Sequence, residues 1–157
     1  MDTTKFLFRG FLPREEKLRK VALEELKDRT ETLIFYEAPH RLINTLQSLN
    51  DNLGCRRISL CRELTKMHEE ILRLSLTEAV QYYTDHQPRG EYVLVVEGKS
   101  LENIELERKA KWENISIEEH IVMYINQGLD KKSAIKMVAK ERNVPKSEIY
   151  KYSHEIR

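Results

Sequence analysis

Leu33-Ile34-Phe35-Tyr36-Glu37-Ala38-Pro39-His40-Arg41 decides the fold. The apolar run from Thr32 to Tyr36 reads as a strand buried on both faces. Pro39 cannot extend a sheet ladder but suits the first turn of a helix. Leu42, Ile43, Leu46, Leu49 and Leu53 then recur at helical spacing, and Gly54 supplies a stop. A strand that passes straight into an amphipathic helix is the repeating unit of an α/β layer.

Upstream, Lys5 to Phe8 reads as a short strand that ends at Gly10. Pro13 opens a helix whose core face is predicted to be Leu18, Val21, Ala22 and Leu26. Downstream, Arg57 to Cys61 and Ile71 to Leu74 read as strands joined in a hairpin-like step. Ser75 and Glu78 have capping-box spacing for a helix through Tyr83, and Tyr92 to Val96 is the last strand. Residues 1–98 are therefore expected to be α/β, a mixed open sheet with flanking helices. Residues 99–115 are charged and weakly periodic and are expected to link this body to a tail.

The tail, 116–157, reads as a small all-helical, helix-turn-helix-like unit. Ser116 and Glu119 form a second capping box ahead of Ile117, Ile121, Tyr124 and Ile125. Asp130 caps the next helix, with Ala134, Ile135, Val138 and Ala139 inward. The third follows Asn143-Val144-Pro145 and carries Ile149, Tyr152 and Ile156. Lys146 and Lys151 on it are balanced by Glu148 and Glu155, a poor surface for phosphates.

With 27 basic and 26 acidic residues the formal charge is +1, which excludes a protein that coats nucleic acid by overall charge but leaves room for a local basic patch. No apolar run approaches the ~18 residues of a membrane helix, so no membrane partner is expected. Cys55 and Cys61 flank one strand and read as reduced thiols of a cytoplasmic protein. There is no glycine-rich phosphate loop, no nucleophile elbow and no histidine pair at metal-helix spacing, so no metal is assigned. What remains is polar residues crowded where strands end: 36–41, 62–70, and Glu97-Gly98. Ligands of open α/β sheets sit at the carboxyl ends of strands, whereas salt-bridged loop charges are the structural alternative.

Phe8-Arg9-Gly10-Phe11-Leu12-Pro13, Leu33 through Arg41, Arg62-Glu63-Leu64-Thr65-Lys66-Met67-His68-Glu69-Glu70, and Gly90-Glu91-Tyr92-Val93-Leu94-Val95-Val96-Glu97-Gly98 occur in that order. Together they closely resemble the C-terminal half of the bacterial family of ribosomal RNA small subunit methyltransferase I, in the tetrapyrrole-methylase (corrin/porphyrin methyltransferase) superfamily. The resemblance implies two α/β domains with S-adenosylmethionine (S-adenosyl-L-methionine) between them, and 2′-O-methylation of a cytidine ribose in 16S rRNA. Nothing in the chain matches the N-terminal domain, so the chain is expected to be the C-terminal portion, inactive in isolation. The implied partners are 16S rRNA or the small ribosomal subunit, with a homodimer for the full-length enzyme.

On that resemblance Tyr36, Glu37, Ala38, Tyr92 and Val93 are the cofactor-binding candidates. Glu37, His40, Glu63 and His68 are the catalytic candidates, since a ribose hydroxyl needs a proton acceptor. Arg14, Arg41, Arg62 and Lys66 suit RNA phosphate, with Lys17, Arg19 and Lys20 as an outer basic stripe. The loop 37–41 is expected to be functional, with the fold needing no charge at 37, 40 or 41. Two alternatives stay open: a fragment of a tetrapyrrole methylase, which would want a roomy apolar cleft, and a non-enzymatic helix-turn-helix nucleic-acid-binding module.

Overall fold

The computed structural model describes residues 1–153. The order is β1 (Phe6–Phe11), α1 (Glu16–Glu24), β2 (Thr32–Glu37), α2 (Leu42–Leu53), β3 (Arg57–Arg62), β4 (Glu70–Ser75), α3 (Leu76–Asp85), β5 (Tyr92–Val96), α4 (Leu101–Trp112), α5 (Ile117–Asn126), α6 (Lys131–Arg142) and α7 (Lys146–Tyr152). A 3₁₀ turn, Pro39–Arg41, joins β2 to α2. The contacts divide the chain into two units, Met1–Ser100 and a second from Leu101 onward. Glu155 and Ile156, assigned above to the third tail helix, lie outside the described residues.

In the first unit the five strands form one mixed sheet in the order β1-β2-β5-β3-β4. β1 and β2 are parallel, while β2–β5, β5–β3 and β3–β4 are antiparallel. The expected hairpin step is the β3–β4 pair. Leu33, Phe35, Ile58, Leu60, Leu94 and Val96 point to one face and pack with Leu42, Leu46, Leu49, Leu76 and Ala79 from the helices. Burying each such leucine is worth about 1.5–3 kcal/mol, so this layer is the main source of stability.

The opposite face differs from the two-sided burial expected for β2. Ile34 and Val95 are half-buried, Tyr36 is 44% exposed, and Phe6 and Phe8 are exposed. An apolar run does not by itself distinguish a strand covered on both sides from one covered on one side. β1 also runs past Gly10, which takes φ 63° in a bulge that shifts the register between Phe8 and Gly10. That left-handed conformation is what glycine permits.

Helix α1 starts later and faces only partly as predicted: Leu26 is buried and Ala22 packs against the core, but two of the four expected residues do not. Pro13 precedes it without opening it, and Leu23 and Leu26 are buried while Leu18 and Val21 are more than half exposed. Its phase is set partly by Arg19, whose guanidinium reaches Ser48 Oγ on α2 (3.0 Å) and the carbonyls of Pro13 and Arg14. Ile43 on α2 is likewise exposed, and buried Thr45 takes the inward position instead.

The second unit begins with α4, so the stretch expected as a charged linker is helical over Leu101–Trp112. Its charges lie on a helical surface, and Trp112 is its buried residue. Helices α5, α6 and α7 pack through Ile121, Ala134, Ile135, Val138, Ala139 and Ile149. Both predicted capping boxes are present, at Ser75–Glu78 and Ser116–Glu119. Of the apolar residues on α7, Ile149 is buried and Tyr152 is 42% exposed. His120 is fully buried, stacked on Trp112 at 3.7 Å, with Nε2 3.1 Å from Glu141 Oε2; Arg142 Nε donates to its Nδ1 at 3.2 Å.

Candidate active site

The sheet topology brings the predicted strand ends together. Glu37 on β2 lies opposite Tyr92 at the start of β5, Tyr92 lies opposite Arg62 at the end of β3, and Arg62 lies opposite Glu70 at the start of β4. One row across four strands thus collects three polar loops. Residues opposite one another in a ladder point to the same face, and neighbours along a strand point to opposite faces. The cofactor candidates are therefore divided. Glu37 and Tyr92 face the helices, while Tyr36 and Val93 face the open side. No single ligand lying on one face can take all four side chains, and strand alternation is the reason.

On the helix side Glu37 is only 2% exposed. Its Oε2 accepts the Thr45 hydroxyl at 2.6 Å, its Oε1 accepts the Ala38 amide at 2.9 Å, and Arg41 Nε lies 3.5 Å from Oε1. Arg41 also donates through Nη2 to the Leu12 carbonyl at 2.7 Å. These contacts tie the β1 and β2 loops to the start of α2. The expectation that the fold needs no charge at 37 or 41 is thus corrected: a buried carboxylate demands partners, and these residues supply them. Ala38 has its amide on Glu37 and its carbonyl accepting from the Arg41 amide at 3.0 Å.

Beside Glu37 the Tyr92 hydroxyl meets Tyr83 Oη and the Arg89 amide, each at 3.3 Å. Burial holds the Tyr83 phenol neutral far above its usual range. A polar recess of about 410 Å³ opens here, lined by Arg62, Glu70, Asp85, His86, Arg89 and Tyr92 among others. Arg62 Nε is 3.1 Å from Glu70 Oε2, close enough for an ion pair, although the N–H is not aligned for a hydrogen bond. His86 and Arg89 escaped the sequence reading because they follow α3 in no recognisable motif; the only signal was Gly90 just after them.

The 63–69 loop is held by its own charges. Glu63 and Thr65 both adopt left-handed backbone, φ 48° and 67°, although neither is glycine. Glu63 Oε1 accepts the Glu91 amide at 2.7 Å, and the Glu63 amide donates to the Glu91 carbonyl at 2.9 Å. Lys66 Nζ bridges Glu91 Oε2 (2.7 Å) and Glu63 Oε2 (3.2 Å). The Glu91 amide first, and Lys66 next, lower the Glu63 carboxyl below the usual carboxylate range; Glu91 and Glu63 raise Lys66. Glu63 is consequently a weak proton acceptor, and Lys66 already has two anionic partners.

His40, His68 and Arg14 are exposed and make no side-chain hydrogen bond or ion pair among the described residues. Of the catalytic and substrate-binding candidates these three have unengaged side chains among the described residues, as does Lys17 of the outer stripe. In the outer stripe Lys20 pairs with Glu16 at 2.7 Å, and Arg19 is a scaffold contact. On the open face the Tyr36 ring lies edge-on to Phe8 and Phe11, at 5.0 and 5.9 Å, with half-buried Val93 on the paired strand. These side chains form an apolar shelf on the open face. No group of His, Cys, Asp and Glu among the described residues could hold a metal ion, and no described helix is long and apolar enough to cross a membrane.

No protein-family model matches the sequence. Individual proteins do. The chain is 47% identical over 149 residues to ribosomal RNA small subunit methyltransferase I of Bacillus subtilis (strain 168), covering 95% of this chain and 51% of the relative. This chain is homologous to ribosomal RNA small subunit methyltransferase I. The protein of that name in Halalkalibacterium halodurans is 48% identical over 155 residues, 99% of this chain and 53% of its own length. That of Synechocystis sp. is 34% identical over 157 residues, 99% and 54%. The chain spans about half the length of the curated methyltransferase I relatives it matches. Among solved structures, the methyltransferase CobJ aligns with TM-score 0.46 and 17% identity over 60% of this chain and 41% of that one.

Proposed function

We propose that this chain forms part of an S-adenosylmethionine-dependent methyltransferase that modifies a cytidine ribose 2′-hydroxyl of 16S rRNA in the cytoplasm. The observation that carries this reading is 47–48% identity to proteins of that name across nearly the whole chain. When bound, S-adenosylmethionine supplies an activated methyl group, and the protein's contribution is alignment, worth up to about 7–11 kcal/mol in favourable cases. In this reading Tyr36 and Val93 hold the adenine ring on the open face. His40 or His68 accepts the ribose hydroxyl proton, imidazole being the side chain suited to that near neutral pH. Arg14 meets a phosphate. Glu37 and Arg41 position the β2 loop, and Glu63 with Lys66 fixes the loop that carries His68.

The chain supplies one wall of the site in this account, and the remaining half of the relatives' length supplies the other. A homodimer belongs to the same reading, and the exposed Phe6 on the sheet's open face is compatible with it. The test is a chimera. The corresponding stretch of the Bacillus subtilis relative is replaced by these 157 residues and expressed in cells lacking that relative. Mapping of 2′-O-methyl riboses in 16S rRNA should show the modification restored.

A further inference from the structure

Helix α6 carries cations that its own fold does not use. Its inward side is Ala134, Ile135, Val138 and Ala139, and its outer side presents Lys132, Lys136 and Lys140, all exposed. These three follow at i, i+4 and i+8, so they form one stripe about 12 Å long. Among the described residues none of the three ammonium groups has a carboxylate partner. Arg142 on the same helix shows the contrast: it is spent on His120 Nδ1 and on the carbonyls of Ile115 and Ser116. The helix's other charge of opposite sign, Glu141, is taken by His120.

Folding gives no reason for this pattern. Like charges at i, i+4 repel along a helix. Lys132 also lies in the first turn, where the helix dipole disfavours a cation. Asp130 already caps that end through the amides of Lys132 and Ser133. Helix α1 answers a cation at the same spacing, Lys20 with Glu16, and Lys27 pairs with Glu24. A row of unanswered cations that weakens its own helix is what a polyanion partner would compensate.

We propose that the Lys132–Lys136–Lys140 stripe is a contact surface for the RNA phosphate backbone. RNA is chosen over other polyanions because of the rRNA reading above, on which this inference rests. The stripe supplies point charges without planar or aromatic groups for base edges, so it positions RNA without reading sequence.

The experiment uses the whole chain and a fluorescein-labelled RNA stem-loop, with binding followed by anisotropy across a potassium chloride series. Each phosphate contact contributes about 0.7–0.9 to the slope of log K against log salt. The triple variant K132Q/K136Q/K140Q should therefore lower that slope by about 2–3 and weaken binding at least about tenfold at moderate salt. A control of equal charge change at exposed residues, K5Q/K27Q/R29Q, should leave the slope near that of the parent. K136E creates opposite-charge pairs with Lys132 and Lys140, so it should keep or raise the melting temperature while weakening RNA binding.

Several outcomes overturn the proposal: no RNA binding by the parent chain, an unchanged slope in the stripe variant, an equal loss in the control, or stripe-dependent binding to phosphatidylserine vesicles without binding to RNA. A chimera that methylates 16S rRNA while the stripe variant binds normally sinks the stripe alone. Stripe-dependent binding with an inactive chimera sinks only the enzymatic reading.

Discussion

The Thr45 hydroxyl donates to Glu37 Oε2 at 2.6 Å, and through it the first turns of α2 are fastened to the end of β2. Glu37 is the residue that chemistry alone would place at the reaction centre, because it ends a strand beside a histidine and an arginine. Its burial assigns it to the scaffold that aims the loop. A buried carboxylate held by a hydroxyl, an amide and a guanidinium is costly to break from either side.

Glu37→Ala should therefore destabilise the protein by about 3–5 kcal/mol, since it strands the Arg41 charge and the Thr45 hydroxyl. Thr45→Val should cost about 1–3 kcal/mol. Urea unfolding of the two single variants and the double should reveal a coupling of about 0.5–3 kcal/mol. Additive effects would mean that the 2.6 Å contact carries no energy.

Gly90→Ala tests the support of the 63–69 loop. Gly90 has φ 75°, and an added Cβ would come within 2.7 Å of Glu63 Oε1. Left-handed backbone and the clash act in the same direction, so the loss should exceed about 1 kcal/mol. Amide exchange should rise at Glu63 and Glu91, whose backbones are joined there. Unchanged exchange at both would show that the loop is held by something else.

Much of this was legible in the sequence, and the misses share a cause. Alternating strands and helices, both capping boxes and the hairpin step were readable because they depend on local pattern. The phase of α1 was only partly legible, because Val21 and Leu23 are both apolar and the choice rests in part on Arg19 reaching Ser48 across 29 positions. The site shows the same division. Sequence placed these loops at strand ends that the sheet does bring to one side, but it grouped Tyr36 with Glu37 and Tyr92 with Val93, which strand alternation sends to opposite faces. Nor could it foresee that Thr45, a helix residue with no motif, would claim the Glu37 carboxylate.

The second unit should weaken in mild acid. Burial first, and the Arg142 guanidinium next, lower the His120 pKa below its ordinary 6.5, against the pull of Glu141. The unfolded chain then binds the proton more readily, so stability is present above about pH 6.5 and is lost as pH falls from there toward the folded-state pKa. The sole tryptophan, Trp112, stacks on this ring and reports it. Denaturation midpoints from its fluorescence should drop as the pH falls below about 6.5, and His120→Gln should flatten that dependence. A midpoint that rises on acidification would reverse the assigned sign.

Arg14, His40 and His68 should behave as substrate-facing residues. Among the described residues none has a side-chain partner to lose, so alanine at each should leave stability within about ±0.5 kcal/mol. In the methylating chimera, loss of the histidine that accepts the proton should lower kcat by about 10²–10⁴-fold, whereas Arg14→Ala should act mainly on KM. Full turnover with both histidines replaced would remove imidazole from the account.

The central claim is tested most directly by methyl transfer from tritiated S-adenosylmethionine to purified small ribosomal subunits by the chimera that carries these 157 residues. The account predicts label in 16S rRNA, on a cytidine ribose oxygen, at a rate near that of the Bacillus subtilis parent. A chimera that folds and binds S-adenosylmethionine, yet leaves 16S rRNA unlabelled, would contradict it.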